Sequence, residues 1–397
     1  MSERPALPAA DRILLGPGPS TIAPRVMRAL AAPVLSHLDP DLVVLLDDVR
    51  ARLAGLFRAP AGSLTLAVSG TGTSGMEALV ANLVAERTRV LAIVTGYFGD
   101  RLAEICRRYG ADVTRLDVEW GRAVDPQAVR AALRDRGADL VACVHAETST
   151  GVLNPVRQIA EAAHEREALV LVDAVTSLGG PPLDAGAWGL DAVYSCTQKC
   201  VGAPSGLAPI AFGPAAQARR TQCRSFYLDL ALLEDYWVRR KYHHTVSSTL
   251  VYALHEALVA IDEEGLEARW ARHERHHRAL ASGLHAMGLD LLPPESERLW
   301  TLNAVRVPTG VDEAAVRRAL LADFGIEIGA GLGPLAGKIW RVGLMGASST
   351  RTHLSLFLAA LDRSLRALGH PCPAGAGAAA AHAALDAPAQ AAASPSA

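Results

Sequence analysis

Short, nearly unbroken apolar runs recur through the middle of the chain, at Leu64–Val68, Val90–Thr95, Leu140–His145, Ala168–Asp173, Ala192–Ser195 and Leu207–Phe212. Between them lie stretches with apolar residues at helical spacing, such as Met76–Ala85, Asp100–Tyr109, Pro126–Arg136 and Val156–Arg166. Strands covered on both faces lose the in–out alternation of half-exposed ones. Apolar runs interleaved with helices therefore predict an open, mostly parallel sheet joined by right-handed crossovers. After residue 246 the pattern changes. Helical stretches at Ser247–Glu264 and Leu266–Met287 precede a mixture of strands (Leu302–Val307, Ile326–Ile328, Ile339–Val342) and helices (Glu313–Phe324, Thr352–Leu368). That order predicts a smaller α+β domain. The expected organisation is an N-terminal arm over 1–22, a large α/β domain over 23–246, a small C-terminal domain over 247–370 and a tail over 371–397. From Pro373 onward the chain is Ala-rich, with one charged residue, Asp386, and no large apolar side chain beyond Leu385. A segment with no apolar face to dock is expected to be disordered.

Length and composition narrow the class. A chain of 397 residues exceeds what one core usually serves, which agrees with two domains. Half the residues are hydrophobic and 20% are charged, which excludes a wholly disordered chain, a collagen and a small disulfide scaffold. Lys and Arg number 39 against 41 Asp and Glu, a net charge of −2, so no global basic field favours nucleic acid or an anionic membrane. The first residues lack a charged segment followed by an apolar run, and no window reaches the ~18 apolar residues of a membrane span. Six scattered cysteines read as reduced thiols. The expectation is a soluble cytoplasmic enzyme.

In open α/β sheets ligands bind at the carboxyl ends of the strands. After the first run comes Ser69–Gly75 (SGTGTSG), opening a helix. Glycine-rich backbone with hydroxyls at a helix N-terminus suits phosphate, because free N–H groups and the helix dipole both favour an anion. Gly70, Gly72 and Gly75 also match G-x-G-x-x-G, which raises an NAD(P)-linked oxidoreductase as an alternative. That motif requires an acidic residue ending the next strand, and the stretch VLAIVTGYFG has none. The segment Gly331–Lys338 fails the P-loop pattern at Leu332 and at Ile339. Two other strand ends carry sharper chemistry. Asp173 ends one run, and Lys199 follows another in a loop of small and polar residues. A lysine of lowered pKa can form a Schiff base, and an aspartate can pair with a protonated pyridine nitrogen. With a phosphate cradle, these are the parts of a pyridoxal phosphate site.

Further motifs occur in order along the chain: LGPGPS at 15–20, SGTGT at 69–73, HAETSTG at 145–151, VDAVTSLGG at 172–180, QKC at 198–200, YHHT at 242–245 and WRVG at 340–343. With them the chain resembles the class V (fold type I) pyridoxal phosphate aminotransferases of the alanine–glyoxylate and serine–glyoxylate group, from about Leu14 to Leu368. The resemblance implies a large domain with a mostly parallel seven-stranded sheet, and pyridoxal 5′-phosphate as cofactor. It implies Lys199 as the Schiff-base lysine and Asp173 as partner of the pyridine nitrogen. Thr71, Gly72, Thr73 and Gln198 would hold the phosphate, with Tyr242 and Thr245 reaching it from the partner subunit of a homodimer. Phe98 would stack on the ring in place of the more usual Trp, and Thr148 would place a hydroxyl near the ring oxygen. Arg341 would clamp the substrate carboxylate, with Gly18 and His37 also lining the substrate pocket. The implied reaction is ping-pong transfer of an amino group from a small L-amino acid, alanine first, to glyoxylate, giving glycine and a 2-oxo acid. Serine is an alternative donor. So is (S)-ureidoglycine, because the segments at 119–121, 233–237 and 333–340 are similar to the ureidoglycine–glyoxylate enzymes. Those enzymes typically carry Gln where this chain has His37 and Asn where it has Tyr242.

The remaining candidates invite plainer readings. His273, His276 and His277 sit among Arg272, Glu274, Arg275 and Arg278, which predicts a solvated helix face. His243 and His244 are expected at the subunit interface. Cys196 and Cys200 flank Lys199 without redox spacing.

Overall fold

The computed structural model describes residues 11–387. Its centre is a seven-stranded sheet built from β1 (Leu64–Gly70), β2 (Arg89–Val94), β3 (Asp112–Asp117), β4 (Leu140–Val144), β5 (Leu169–Asp173), β6 (Ala192–Tyr194) and β7 (Gly206–Phe212). The strand order is β1-β7-β6-β5-β4-β2-β3. Neighbouring strands run parallel except at β7, which is antiparallel to both β1 and β6. The reason is local. Only the tight turn Thr197–Val201 and a few flanking residues separate β6 from β7, too little chain for a parallel crossover. The inner strands β4, β5 and β6 are buried at every position, as their unbroken apolar sequences require. Helices α1 (Pro40–Phe57), α2 (Gly72–Leu83), α3 (Tyr97–Arg108), α4 (Pro126–Arg136) and α5 (Val156–His164) pack against this sheet and one another.

A second sheet orders β8 (Leu302–Arg306), β10 (Ile339–Gly343) and β9 (Gly329–Ala330), all antiparallel. It packs with α7 (Leu266–Ala286), α8 (Glu313–Phe324) and α9 (Arg351–Ala367) around a separate apolar cluster. The helix between the two cores, α6 (Ser248–Glu264), sends Val251, Leu254, Leu258 and Ile261 into the first core. The arm reaches the second core: Ile13–Leu14 pairs in parallel with Ile326–Glu327, and Leu15 is fully buried there. Among the described residues no helix is long and apolar enough to cross a membrane.

Three expectations need correction. Strand β3 was not foreseen, because its sequence DVTRLD is charged and half-exposed, as suits a sheet edge. The histidines of α7 are buried, not solvated: His273 is 0% exposed, His276 4% and His277 6%. His273 Nδ1 donates to the Arg269 carbonyl at 2.8 Å, and its Nε2 accepts from the Gly346 amide at 3.1 Å. His276 pairs with Ser349 Oγ at 3.0 Å and His277 with Asn303 Oδ1 at 2.7 Å. Burial pushes His276 and His277 down to about 4, which keeps both neutral.

The third correction concerns the tail, expected to be disordered from residue 371. Residues Ala376–Asp386 form a helix, α10, against α7 and α9; residues 388–397 of that expectation lie outside those described. No large side chain is needed, because two glycine-bearing faces meet. A Cβ added at Gly283 would lie 2.7 Å from the Gly377 carbonyl and 2.7 Å from Leu358 Cδ1. Close backbone approach substitutes for bulk, and an Arg351–Asp386 ion pair and a Ser355–His382 hydrogen bond of 2.6 Å add to it. Gly283→Val should therefore lower stability by about 1–3 kcal/mol and expose the 376–386 segment to protease. An unchanged melting temperature and digestion pattern would remove this account of the docking.

Candidate active site

The turn Thr197–Val201 carries Lys199 at the carboxyl edge of the central sheet, immediately after β6. Lys199 Nζ donates to the Pro17 carbonyl. The backbone of the same turn is held by the N-terminal segment: Ser20 Oγ donates to the Lys199 carbonyl at 2.8 Å, and Ser20 N to that of Gln198 at 2.9 Å. Burial lowers the Lys199 pKa, and the nearby Arg341 charge acts in the same direction. A lysine so placed holds a larger share of free amine at neutral pH than a solvated one. Gly18 makes room for it. At φ +102° an added Cβ would lie 2.3 Å from Lys199 Nζ and 2.4 Å from its Cδ.

Asp173 ends β5, the neighbour of β6, and is 2% exposed. Its register partner is Tyr194, whose hydroxyl donates to Oδ2 at 2.6 Å, while the Val175 amide donates to Oδ1 at 2.8 Å. Burial outweighs these two bonds and lifts the carboxyl to about 7. Tyr194 escaped the sequence reading, although parallel register between consecutive strands places it beside Asp173.

The glycine-rich loop lies across the same edge. Thr71 is the N-cap of α2 but makes no side-chain cap, so the first amides of the helix are left for another acceptor. Thr71 and Thr73 are both exposed at this end. A Cβ at Gly72 would come within 3.0 Å of Val175 Cγ2 and 3.3 Å of Cys196 Cβ, so this glycine lets the loop pack onto the segments that follow Asp173 and precede Lys199. Gln198 Oε1 is buried without a hydrogen-bond partner. Helix amides, two hydroxyls and an unengaged amide side chain fit a phosphate.

Phe98 lies in the first turn of α3, with the Arg101 guanidinium 5.0 Å from its ring centre. Arg101 also donates to Thr73 Oγ1 at 3.2 Å, a link between these loops that the sequence did not signal. Thr148 is buried and shares a 2.5 Å hydrogen bond with Thr176 Oγ1, three residues past Asp173. Arg341, on β10, comes from the second sheet and is 7% exposed. Its Nε donates to the Ala330 carbonyl at 2.6 Å and its Nη1 to the Thr148 carbonyl at 3.4 Å. Burial lowers its pKa to about 10, opposed by Glu147.

Among the described residues no side-chain hydrogen bond joins His37, Tyr242 or Thr245 to this cluster. The His37 and Tyr242 rings pack 5.0 Å apart, Tyr242 is 63% exposed, and Thr245 is exposed. His243 is buried against Phe226 and Tyr227, and His244 Nε2 meets Ser69 Oγ at 2.8 Å beside the glycine loop. All six cysteines are unpaired.

The family model described as Aminotransferase class-V matches residues 22–351. The chain belongs to the class V aminotransferases. Its sequence is 39% identical over 388 residues to (S)-ureidoglycine–glyoxylate transaminase of Bacillus subtilis, covering 92% of this chain and 93% of that one. The crystal structure of the ureidoglycine–glyoxylate aminotransferase from Bacillus subtilis superposes with a TM-score of 0.92 at 39% identity, over 95% of this chain and 99% of that one. That of alanine–glyoxylate aminotransferase from Nostoc sp. gives 0.88 at 44% identity, over 92% and 98%. The protein is thus a fold type I aminotransferase, and its cofactor is pyridoxal 5′-phosphate. The nicotinamide alternative also lacks its acidic residue in the structure, since Thr95 and Gly96 follow β2.

The raised Asp173 carboxyl has a measurable consequence. A carboxyl whose folded pKa lies above its ordinary value of 3.8 stabilises the fold at low pH and loses that contribution as pH rises towards about 7. Cofactor-free Asp173→Asn should therefore be less sensitive to pH over this range, and more stable than the parent at about pH 8 by on the order of a few kcal/mol. Its amide can accept from Val175 N and donate to the Tyr194 oxygen. Urea unfolding at about pH 5 and about pH 8 tests this; identical pH dependence in both proteins would refute it.

Proposed function

We propose that this aminotransferase moves the amino group of a small L-amino acid, alanine first, to glyoxylate, yielding glycine and a 2-oxo acid in a ping-pong cycle. The observation that carries the reading is the buried Arg341 near the half-buried, pKa-lowered Lys199, in a site where Gly18 leaves no side chain between substrate loop and lysine. A guanidinium held by two backbone carbonyls suits a carboxylate, and the tight approach of Gly18 suits a small substrate. The relatives named for glyoxylate support the acceptor. For the donor, the His37–Tyr242 ring pair favours alanine, because these positions carry amide side chains in the typical ureidoglycine enzymes. The 39% identity with the Bacillus subtilis transaminase supports (S)-ureidoglycine as a second reading.

In this reading Lys199 Nζ takes the proton from the donor's Cα, a task that its burial favours by keeping part of the amine neutral. Asp173 holds the proton on the ring nitrogen. Thr71, Gly72, Thr73 and Gln198 would hold the phosphate, Phe98 would pack on the ring, and Thr148 would offer its hydroxyl to the ring oxygen. Arg341 orients the substrate carboxylate, with Gly18 and His37 bounding its pocket. When bound, pyridoxal phosphate supplies an electron sink for the charge left on Cα. Tyr242 and Thr245, both exposed in the single chain, complete the phosphate site of a partner subunit in a homodimer. The six unpaired cysteines support a reducing compartment, the cytoplasm.

The visible absorption of the purified protein tests the reading directly. The band should bleach with L-alanine and return with glyoxylate. Bleaching only with L-serine or (S)-ureidoglycine would replace the donor, and a band indifferent to all three would end the proposal. Lys199→Ala should lower turnover by at least about a thousandfold.

The shared site calls for a different experiment. Lys199→Ala and Tyr242→Ala proteins, each impaired alone, should regain activity when unfolded and refolded together, because a mixed dimer contains one intact site. No gain on mixing would overturn the sharing of Tyr242.

A further inference from the structure

The residue before helix α3, Gly96, is its N-cap and has no side chain with which to cap it. The first three amides of the helix are nevertheless engaged, by side chains distant in sequence. Tyr97 N donates to Ser149 Oγ at 2.9 Å, Phe98 N to Glu147 Oε1 at 3.4 Å and Gly99 N to Glu147 Oε2 at 3.1 Å. Glu147 Oε1 also accepts from Ser149 N at 3.1 Å and Ser149 Oγ at 2.5 Å. Glu147 is 0% exposed. Every partner it has is a donor, so the group is bound as a carboxylate, and the positive end of the helix dipole favours the same form. The fit is close: a Cβ at Gly96 would lie 2.3 Å from Ser149 Oγ and 2.6 Å from Glu147 Cγ.

The residue between these two caps faces other parts of the site. Thr148 carries the hydroxyl bonded to Thr176 and the carbonyl that receives Arg341 Nη1. The segment 147–149 thus touches the first turn of the aromatic helix, the loop after Asp173 and the guanidinium of β10.

We propose that Glu147, with Ser149, is a positioning residue that fixes the Phe98 ring through the backbone amides of α3. This rests on the reading of Phe98 as the ring that packs on the cofactor. Glu147 touches neither cofactor nor reacting atoms in this account. Its role is to hold Phe98 where packing needs no further rearrangement, and a buried anion at a helix N-terminus does so more firmly than a neutral cap.

The test is a titration of the full-length cofactor-free protein with pyridoxal phosphate, reading the dissociation constant from absorbance and the ring's orientation from circular dichroism in the visible band. Ser149→Ala should weaken binding about threefold and Glu147→Gln about tenfold, with reduced visible dichroism. Phe98→Ala should weaken it as well. The deciding comparison is with the double variants. If Glu147 and Ser149 act through Phe98, then adding either change to Phe98→Ala should alter the constant less than about twofold. Losses that multiply in the double variants would overturn the positioning role while leaving the Phe98 reading intact. An unchanged constant for Phe98→Ala would overturn both. If Glu147→Gln does not fold, the Ser149 and Phe98 pair decides the matter by itself.

Discussion

A carboxyl group at the end of a fully buried parallel strand is the constraint around which this site is arranged. Asp173 loses its water to β4 and β6 on either side, and only the Tyr194 hydroxyl and the Val175 amide replace it. Two hydrogen bonds do not offset that desolvation, so the group sits near 7 and gains from any cation brought to it. The sheet could have avoided the cost with an apolar residue. At a strand tip one strand from Lys199, such a carboxyl is instead open to a cationic partner.

Glu147 shows the contrast. It is as deeply buried, yet four donors surround it and a helix N-terminus faces it. Burial still raises its pKa, but nothing in its surroundings is left waiting for a partner. Hydrogen-bond saturation, more than burial, separates a carboxylate that holds structure from one available to a ligand.

Much of this was legible in the sequence for a physical reason. The inner strands are unbroken apolar runs, and whatever follows such a run lies at the ligand edge, so Asp173, Lys199 and the glycine loop could be placed before any coordinates. Other features depend on partners that no local pattern reveals. Strand β3 reads as a charged loop because a sheet edge tolerates polar residues on both faces. Helix α10 docks through small residues, Gly377 against Gly283 with Ala381 buried in the second core, where close backbone contact takes the place of the bulky side chains that a pattern search needs. The α7 histidines look solvated because arginines adjoin them, yet Arg269 and Arg272 turn inward themselves, to the carbonyls of Gly179, Cys200, Gly346 and Ser349. The roles of Tyr242 and Thr245 came from family resemblance alone, since both are exposed in the single chain.

The same contacts bear on how the two cores meet. Arg269 leaves the second core to bond the carbonyl of Cys200, the residue after Lys199, at 2.6 Å. Arg341 reaches from β10 to the Thr148 carbonyl. The arm binds the Lys199 turn through Ser20 while its Ile13–Leu14 strand pairs with Ile326–Glu327. Three separate parts of the chain thus converge on the lysine turn and its neighbour. Arg341 arrives with Nε and Nη1 engaged by backbone oxygens, and burial of the side chain draws its pKa down to about 10. A buried guanidinium in that state is oriented before an anion arrives, and the anion's charge offsets what burial took away. The cost of placing the cation is met in folding, so little rearrangement is left for the moment of binding.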